Sequence, residues 1–296
     1  MPSGKFLVRF AVVSTSAIAL FLASQGPQTK DSLAYLYQPL DCGSLGAPCD
    51  VAGRHYSALI PKGDGPFPVV LFFHGSGGTG QLTIQNSALV RPILERGYSI
   101  VAPTALEIDY ATGPGTGWVW NAENYDWIDF SFSSDVVNDA VKRFPIDPER
   151  IVVAGHSRGG SFAWYLACSE IDTRLRAFAP IGGTPVRGRP GPCQTSGFKF
   201  DVLHSHGYAD TVIPFAGSGA TIGWPGYLGA VETVEGMAVA INCDTVKVSH
   251  AKGYDQRSYD GFAEDKNISV IAHPGGHGIP EIWVGLMLDW FDGLTE

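Results

Sequence analysis

Residues 151–160 read Ile151-Val-Val-Ala-Gly-His-Ser-Arg-Gly-Gly160, and Ser161-Phe-Ala-Trp-Tyr-Leu-Ala-Cys-Ser169 follows them. The β-branched run Ile151–Ala154 has the composition of a short buried strand, and residues 159–169 that of a helix. Between the two the chain reverses within a few residues, and Gly155-His156-Ser157-Arg158-Gly159 supplies the G-x-S-x-G spacing that allows it. A side chain at position 155 or 159 would collide with its neighbours, so the turn forces Ser157 into strained backbone and lifts its hydroxyl out of the sheet. The helix that follows directs its first amides at negative charge developing there. These features predict Ser157 as a nucleophile.

A serine hydroxyl is a poor nucleophile until a base takes its proton. In a parallel α/β sheet the base and the acid that orients it belong in loops at strand C-termini, which converge on one edge. Asp210 fits, in His206-Gly-Tyr-Ala-Asp-Thr-Val-Ile-Pro214 after the predicted strand 200–204. His277 fits, in His273-Pro-Gly-Gly-His-Gly278 after the predicted strand 268–272. The competitors are weaker. His273 borders its strand, His156 and His206 read as packing or turn residues, Asp201 begins a strand, and Asp244 and Asp255 follow none.

A second glycine-rich turn stands at residues 72–80, Phe-Phe-His-Gly-Ser-Gly-Gly-Thr-Gly, directly after the apolar run Phe67–Phe73. Gly75, Gly77 and Gly80 match G-x-G-x-x-G, the spacing of a dinucleotide-binding turn. That use wants an acidic residue about 20 positions on, at the end of the next strand. The next predicted strand, 98–102, ends in neutral residues at Pro103, and the first acid, Glu107, comes late. The alternative is an oxyanion loop opening with His74-Gly75, and Ser157, Asp210 and His277 favour it. Two donors are expected for the oxyanion. One is the backbone N–H of Arg158; the other is that of Ser76, with Gly77 as second choice.

Around these motifs, β-rich runs alternate with helical patterns, which predicts a mostly parallel sheet flanked by helices in a single domain. Strands are expected at 55–60, 69–73, 98–102, 150–154, 175–180, 200–204 and 268–272. Helices are expected at 85–96, where Pro92 kinks the helix or marks its start, and at 133–144, 159–169 and 281–291. Residues 111–132 and 185–197 resist assignment. The first of these stretches is rich in glycine and aromatic residues. It is read as a lid or pocket wall, with Trp118, Trp120 and Trp127, together with His74, contacting substrate. A surface loop whose aromatics pack on the core is the competing reading.

The 296 residues carry 20 basic and 29 acidic side chains, a net charge of −9. No basic face suited to nucleic acid stands out. Lys5 and Arg9 precede the apolar stretch Phe10–Ala23, which ends in small and polar residues. That is the pattern of a secretory signal peptide, expected over residues 1–26, with the catalytic domain at 27–296. The stretch is short against the roughly 20 residues of a membrane span, so no stable membrane association is expected after cleavage. A secreted or periplasmic chain can oxidise its five cysteines. Cys42 with Cys49 closes a short Gly- and Pro-containing loop, Cys168 with Cys193 would pin a loop near the site, and Cys243 is left over. Connectivity stays open at this point. No C-x-x-C or zinc-ligand spacing occurs, and neither a metal nor another cofactor is expected.

Together, Cys42…Cys49, His74-Gly75, Gly155-x-Ser157-x-Gly159, His206-Gly-x-x-Asp210-x-x-x-Pro214 and Gly276-His277 resemble a known family over roughly residues 40–290. It is that of the extracellular α/β-hydrolase esterases, including polyhydroxybutyrate depolymerase-like proteins and feruloyl and acetylxylan esterases. The resemblance implies an α/β-hydrolase fold, a Ser157–His277–Asp210 triad, and a small-molecule or oligomeric ester as substrate. It also implies that Cys243 stays unpaired, because the family cysteine that would join it is absent. Arg158 stands where relatives often carry a small polar residue such as Asn, and Ile279-Pro280 where many have Trp-Pro. Two other readings are a secreted serine peptidase of the same fold and a dinucleotide-binding oxidoreductase. The peptidases usually carry a large preceding domain, and the oxidoreductase rests on the glycine spacing alone.

Overall fold

A computed structural model describes residues 33–110, 113–120, 128–188, 200–222, 224–240, 243, 245–251, 253–260 and 266–295. The predicted signal peptide, Trp127 and Cys193 lie outside these residues.

Twelve strands and six helices are described. The strands are β1 (Cys49–Val51), β2 (Arg54–Leu59), β3 (Phe67–Phe73), β4 (Ser99–Pro103), β5 (Glu107–Tyr110), β6 (Gly113–Thr116), β7 (Ile146–His156), β8 (Ala177–Ile181), β9 (Asp201–Gly207), β10 (Thr245–Ala251), β11 (Tyr254–Asp260) and β12 (Ile268–His273). The helices are α1 (Gly80–Gln85), α2 (Ser87–Glu95), α3 (Ile128–Arg143), α4 (Arg158–Ala167), α5 (Ala230–Ala240) and α6 (Trp283–Thr295). Ten strands form one sheet in the order β1-β2-β4-β3-β7-β8-β9-β12-β11-β10, and β5 and β6 form a separate hairpin. The centre, from β4 through β12, is parallel, and antiparallel pairs extend both edges.

The central strands are apolar on both faces because helices cover both. Val69, Leu71 and Phe73 of β3, with Ile151 and Val153 of β7, face a core built with α3, α4 and α5. The alternate residues Val70, Phe72, Val152 and Ala154 face a second core with α1, α2 and α6. This is the period of two that a pleated strand imposes. Every residue of α4 after Arg158 is buried, so the helix behind the nucleophile turn is apolar all round and enclosed.

Several boundaries differ from expectation. The first helical region splits at Asn86, whose side chain accepts from Leu89 N at 3.4 Å and caps α2, so that helix starts at Ser87 and runs through Pro92. Helix α3 begins five residues before the expected start at Ser133, with buried Asp129 in its first turn (133 − 128 = 5). Part of the unassigned 111–132 stretch is hairpin and helix instead. Helix α5 and the β10–β11 hairpin, with the β11–β12 pairing, add elements where none is expected.

Of the proposed disulfides, Cys42–Cys49 is formed, with its Cα atoms 4.9 Å apart. Cys168 is disulfide-bonded. Cys243 keeps its thiol, which donates to the Thr245 carbonyl at 3.4 Å. Among the described residues no helix is long and apolar enough to cross a membrane.

Candidate active site

Ser157 sits between β7 and α4 with φ 58° and ψ −121°, a left-handed conformation that costs a non-glycine residue about 1–3 kcal/mol. Two close approaches hold it there. A Cβ at Gly155 would overlap the Gly159 carbonyl, and one at Gly159 would overlap the Phe73 carbonyl of β3. The Ser157 amide donates to Ile181 O of β8 at 2.9 Å, which ties the turn to the next strand as well. The strain is therefore fixed by backbone on three sides.

Asp210 follows β9 and His277 follows β12, and these two strands pair directly. Their loops are stitched together, with Tyr208 N donating to His273 O at 2.8 Å and Ala209 N to Gly275 O at 3.0 Å. The side chains then form a continuous row. His277 Nδ1 lies 2.7 Å from Asp210 Oδ2, and His277 Nε2 lies 2.8 Å from Ser157 Oγ. A carboxylate only accepts, so Nδ1–H donates to Asp210 and Nε2 is left to accept the serine hydroxyl. The Asp210 side chain has no exposed surface, and its other oxygen accepts from Val212 N at 2.8 Å and Ile213 N at 2.9 Å.

A buried histidine pair lies behind Asp210, and a tryptophan fixes its tautomers. Trp164 Nε1–H can only donate, and it faces His204 Nδ1 at 3.3 Å. His204 therefore carries its proton on Nε2 and donates to His206 Nδ1 at 3.1 Å. His206 in turn donates from Nε2 to Ile213 O at 2.7 Å, with Asp210 Oδ2 3.3 Å away. Burial lowers the pKa of both rings, so both are neutral and the orientation of the row is set. His156 acts on the other side, its Nε2–H donating to the main-chain carbonyl of His277. Neither role was visible in the sequence, where both histidines read as packing residues.

Of the three amides the sequence offers to an oxyanion, two are open and the third is engaged. Arg158 N is the first amide of α4 and has no partner in the helix, and Ser76 N has none among the described residues. Gly75, between Ser76 and β3, packs its Cα side against the Ser157 side chain, where a Cβ would lie 3.3 Å from Ser157 Cβ. Gly77 is excluded as a donor. Its amide is engaged by Thr116 O at 2.8 Å, and Thr116 Oγ1 also donates to Gly78 O. The last residue of β6 thus braces the loop, a contact no local pattern could reveal.

His74, Trp118 and Trp120 do not stand where a substrate-contacting residue would. His74 is 4% exposed; its Nδ1–H donates to Gly75 O at 2.7 Å and its Nε2 accepts from Ala105 N at 3.0 Å. Burial pushes its pKa down to about 4, so it is a neutral strut inside the loop. Trp118 is fully buried. It stacks on Phe162 at 5.1 Å, meets Phe73 edge to face, and donates from its indole N–H to His74 O at 2.9 Å. Trp120 is buried and stacks on Tyr165 at 5.5 Å. The aromatics expected to line a pocket pack the core beneath it, because a large ring gains most where both faces are covered. Asp129 locks the segment down, accepting from Val119 N and pairing with Arg54.

The Arg158 side chain lies across this segment. Its Nε–H donates to Trp118 O at 2.8 Å, and its guanidinium stands 4.5 Å from the Trp120 ring centroid and 5.6 Å from that of Tyr110. Among the described residues no cluster of His, Cys, Asp and Glu could hold a metal ion.

A parallel sheet that brings a strained serine, a histidine and an aspartate together at its strand ends is the arrangement of the α/β-hydrolase fold. The sequence matches the chlorophyllase family over residues 51–224, more than half of the chain, and the chain belongs to that family. Similar proteins include the bifunctional acetylxylan esterase/xylanase XynS20E of Neocallimastix patriciarum, 26% identical over 170 residues that make up 55% of this chain. The match spans only 22% of that relative's length. The Aspergillus niger protein named "Probable feruloyl esterase C" is 22% identical over 239 residues, 77% of each chain. Among solved structures, the acetyl xylan esterase from Aspergillus awamori aligns with a TM-score of 0.59 at 16% identity, over 80% of this chain and 93% of its own. At that identity the likeness speaks for the fold.

Proposed function

We propose that this chain is a secreted serine esterase that cleaves carboxylic esters through an acyl-enzyme on Ser157. The observation that carries the reading is the unbroken row from Ser157 Oγ through His277 to Asp210, at 2.8 and 2.7 Å. His277 Nε2 takes the serine proton as Oγ attacks the ester carbonyl. The developing oxyanion meets the amides of Ser76 and Arg158, preorganised because neither has another partner to leave. His277 then gives its proton to the departing alcohol, and a water activated by the same ring releases the acid. Asp210, held by Val212 N and Ile213 N, keeps the imidazole in the required tautomer.

The relatives named as acetylxylan and feruloyl esterases support small ester substrates, with carbohydrate esters and hydroxyalkanoate oligomers as the classes to test. The apolar stretch 10–23 and the disulfide Cys42–Cys49 support export. Purified protein is expected to hydrolyse p-nitrophenyl acetate and butyrate. Ser157→Ala is expected to lower kcat by about 10⁶-fold, as loss of a nucleophile does elsewhere. A variant that kept most of the activity would overturn the assignment. Amino-terminal sequencing of protein recovered from a secreting host tests the leader, with a mature end near residue 27 expected.

A further inference from the structure

Arg158 has no carboxylate partner among the described residues. Among the described arginines, Arg54, Arg91, Arg96, Arg143, Arg150, Arg174, Arg187 and Arg257 each hold a carboxylate oxygen within 4.0 Å. Only Arg158 and Arg176 do not, and Arg176 is exposed to solvent. Arg158 is partly buried, beside the nucleophile. Of its five N–H donors only Nε–H is used, on Trp118 O at 2.8 Å. The two terminal nitrogens find no partner among the described residues, and the residue keeps partial exposure to solvent.

Its surroundings are aromatic and leave the edge of the guanidinium without a charged partner among the described residues. Trp120 and Tyr110 present ring faces 4.5 and 5.6 Å from the guanidinium carbon, and the Tyr227 phenol lies close enough to act on its charge. Asp129, a carboxylate that acts on its charge, is already committed to Arg54 at 2.6 Å. Burial lowers the pKa of Arg158, as it lowers that of Arg54 beside Asp129. Its position is set by the site itself. The side chain starts one residue from Ser157 and crosses Trp118, two residues beyond the Thr116 carbonyl that braces Gly77 of the oxyanion loop. A fork of N–H donors fixed there matches a carboxylate, bidentate and coplanar.

We propose that the Arg158 guanidinium is a specificity determinant that binds a carboxylate carried by the substrate. The enzyme then prefers acidic esters, either half-esters of dicarboxylic acids or hydroxyacid oligomers with a free acid end, over neutral esters of the same size. The inference rests on the esterase reading above and narrows its substrate classes, favouring hydroxyalkanoate oligomers over neutral acetyl or feruloyl sugars.

The test compares matched pairs on the wild-type enzyme. Monomethyl glutarate against methyl pentanoate places the charge on the acyl side. The 3-hydroxybutyrate dimer against its primary amide places it on the alcohol side. In at least one pair, kcat/KM is expected to favour the anion by about 10- to 100-fold, the range of a charged hydrogen bond, mostly through KM. The preference shrinks between 0.05 and 0.5 M NaCl, because added salt screens a cation open to solvent. Arg158→Gln brings the ratio towards unity, and Arg158→Lys, which keeps the charge but not the fork, retains an intermediate preference. Wild-type ratios near unity in both pairs overturn the proposal, with or without a folded variant, as does a ratio undiminished in Arg158→Gln. Hydrolysis of p-nitrophenyl butyrate that depends on Ser157 keeps the esterase reading standing if the proposal fails. Protein that cleaves none of these esters overturns both.

Discussion

Two glycine-rich turns leave neighbouring parallel strands and enter helices, one after β3 at residues 74–79 and one at the end of β7 at residues 155–157. Each contains a histidine beside a glycine, yet they do different things. After β7 the chain places a serine in left-handed backbone and leaves the first helix amide open. After β3 the only left-handed residue is glycine, at Gly77 with φ 73°, and Thr79 caps α1 conventionally, its side chain accepting from Leu82 N at 3.1 Å. The turn after β7 stores strain in the backbone of a reactive residue; the turn after β3 is relaxed and offers main chain. Glycine spacing is common to both and distinguishes neither. What separates them is which residue is asked to adopt the costly conformation.

Substitutions can break this contrast, and the largest effect lies on the side of the strained turn. Asp210→Asn leaves the packing in place but reverses the hydrogen-bond polarity at His277 Nδ1, 2.7 Å away, so kcat is expected to fall about 10⁴-fold. Wild-type turnover in this variant would move the acid to another carboxylate. The relaxed turn should respond only to loss of main chain. Ser76→Pro removes the amide and is expected to lower kcat about 10²- to 10³-fold, whereas Ser76→Ala keeps it and should remain within a few-fold of wild type. Equal losses in the two would assign the role to the hydroxyl instead.

Acid sharpens the comparison through His74, the strut of the relaxed turn. Its folded pKa of about 4 lies below the 6.5 of a free imidazole, so below pH 6.5 the unfolded chain binds more protons than the folded one. Stability is complete above pH 6.5 and falls as the pH drops towards 4, by on the order of 3 kcal/mol for this ring alone. Burial acts in the same direction on His156, His204, His206 and His273. Urea midpoints measured from pH 7.5 to 4.5 should decline, and His74→Gln should decline less steeply. A flat profile would mean that these rings are not buried as described. Gly159→Ala drives a methyl group into the Phe73 carbonyl, so main chain on both sides of the nucleophile turn must shift. A loss of about 1–3 kcal/mol of stability, read as a lower melting temperature, and a lower kcat are both expected.

The strained turn was legible in the sequence because its chemistry is local: strand, glycine, serine, glycine and helix stand within about a dozen residues. Asp210 and His277 were legible for a related reason, since each follows a recognisable apolar strand. What escaped was set by contacts between distant segments. Trp118 and Trp120 lie in a glycine- and aromatic-rich stretch that reads alike whether its rings face the core or the cleft. Their partners Phe162 and Tyr165 on α4 decide the matter. The engagement of Gly77 by Thr116 spans 39 residues (116 − 77) and has no sequence signature. Strand β10 hides differently. All its side chains are exposed, so no buried stripe marks it, and only its pairing with β11 makes it a strand.

Between Asp210 and His277 the chain travels to the far edge of the sheet and back. Helix α5 and the hairpin β10–β11 all fall in this interval, yet β9 and β12, which carry the two residues, lie side by side and their loops are stitched directly. The excursion is a closed detour whose entry and exit are pinned. Length can be added to or removed from its outer hairpin without changing the distance between acid and base. That makes the outer edge the place for a designer to graft a new surface module while the chemistry stays in register.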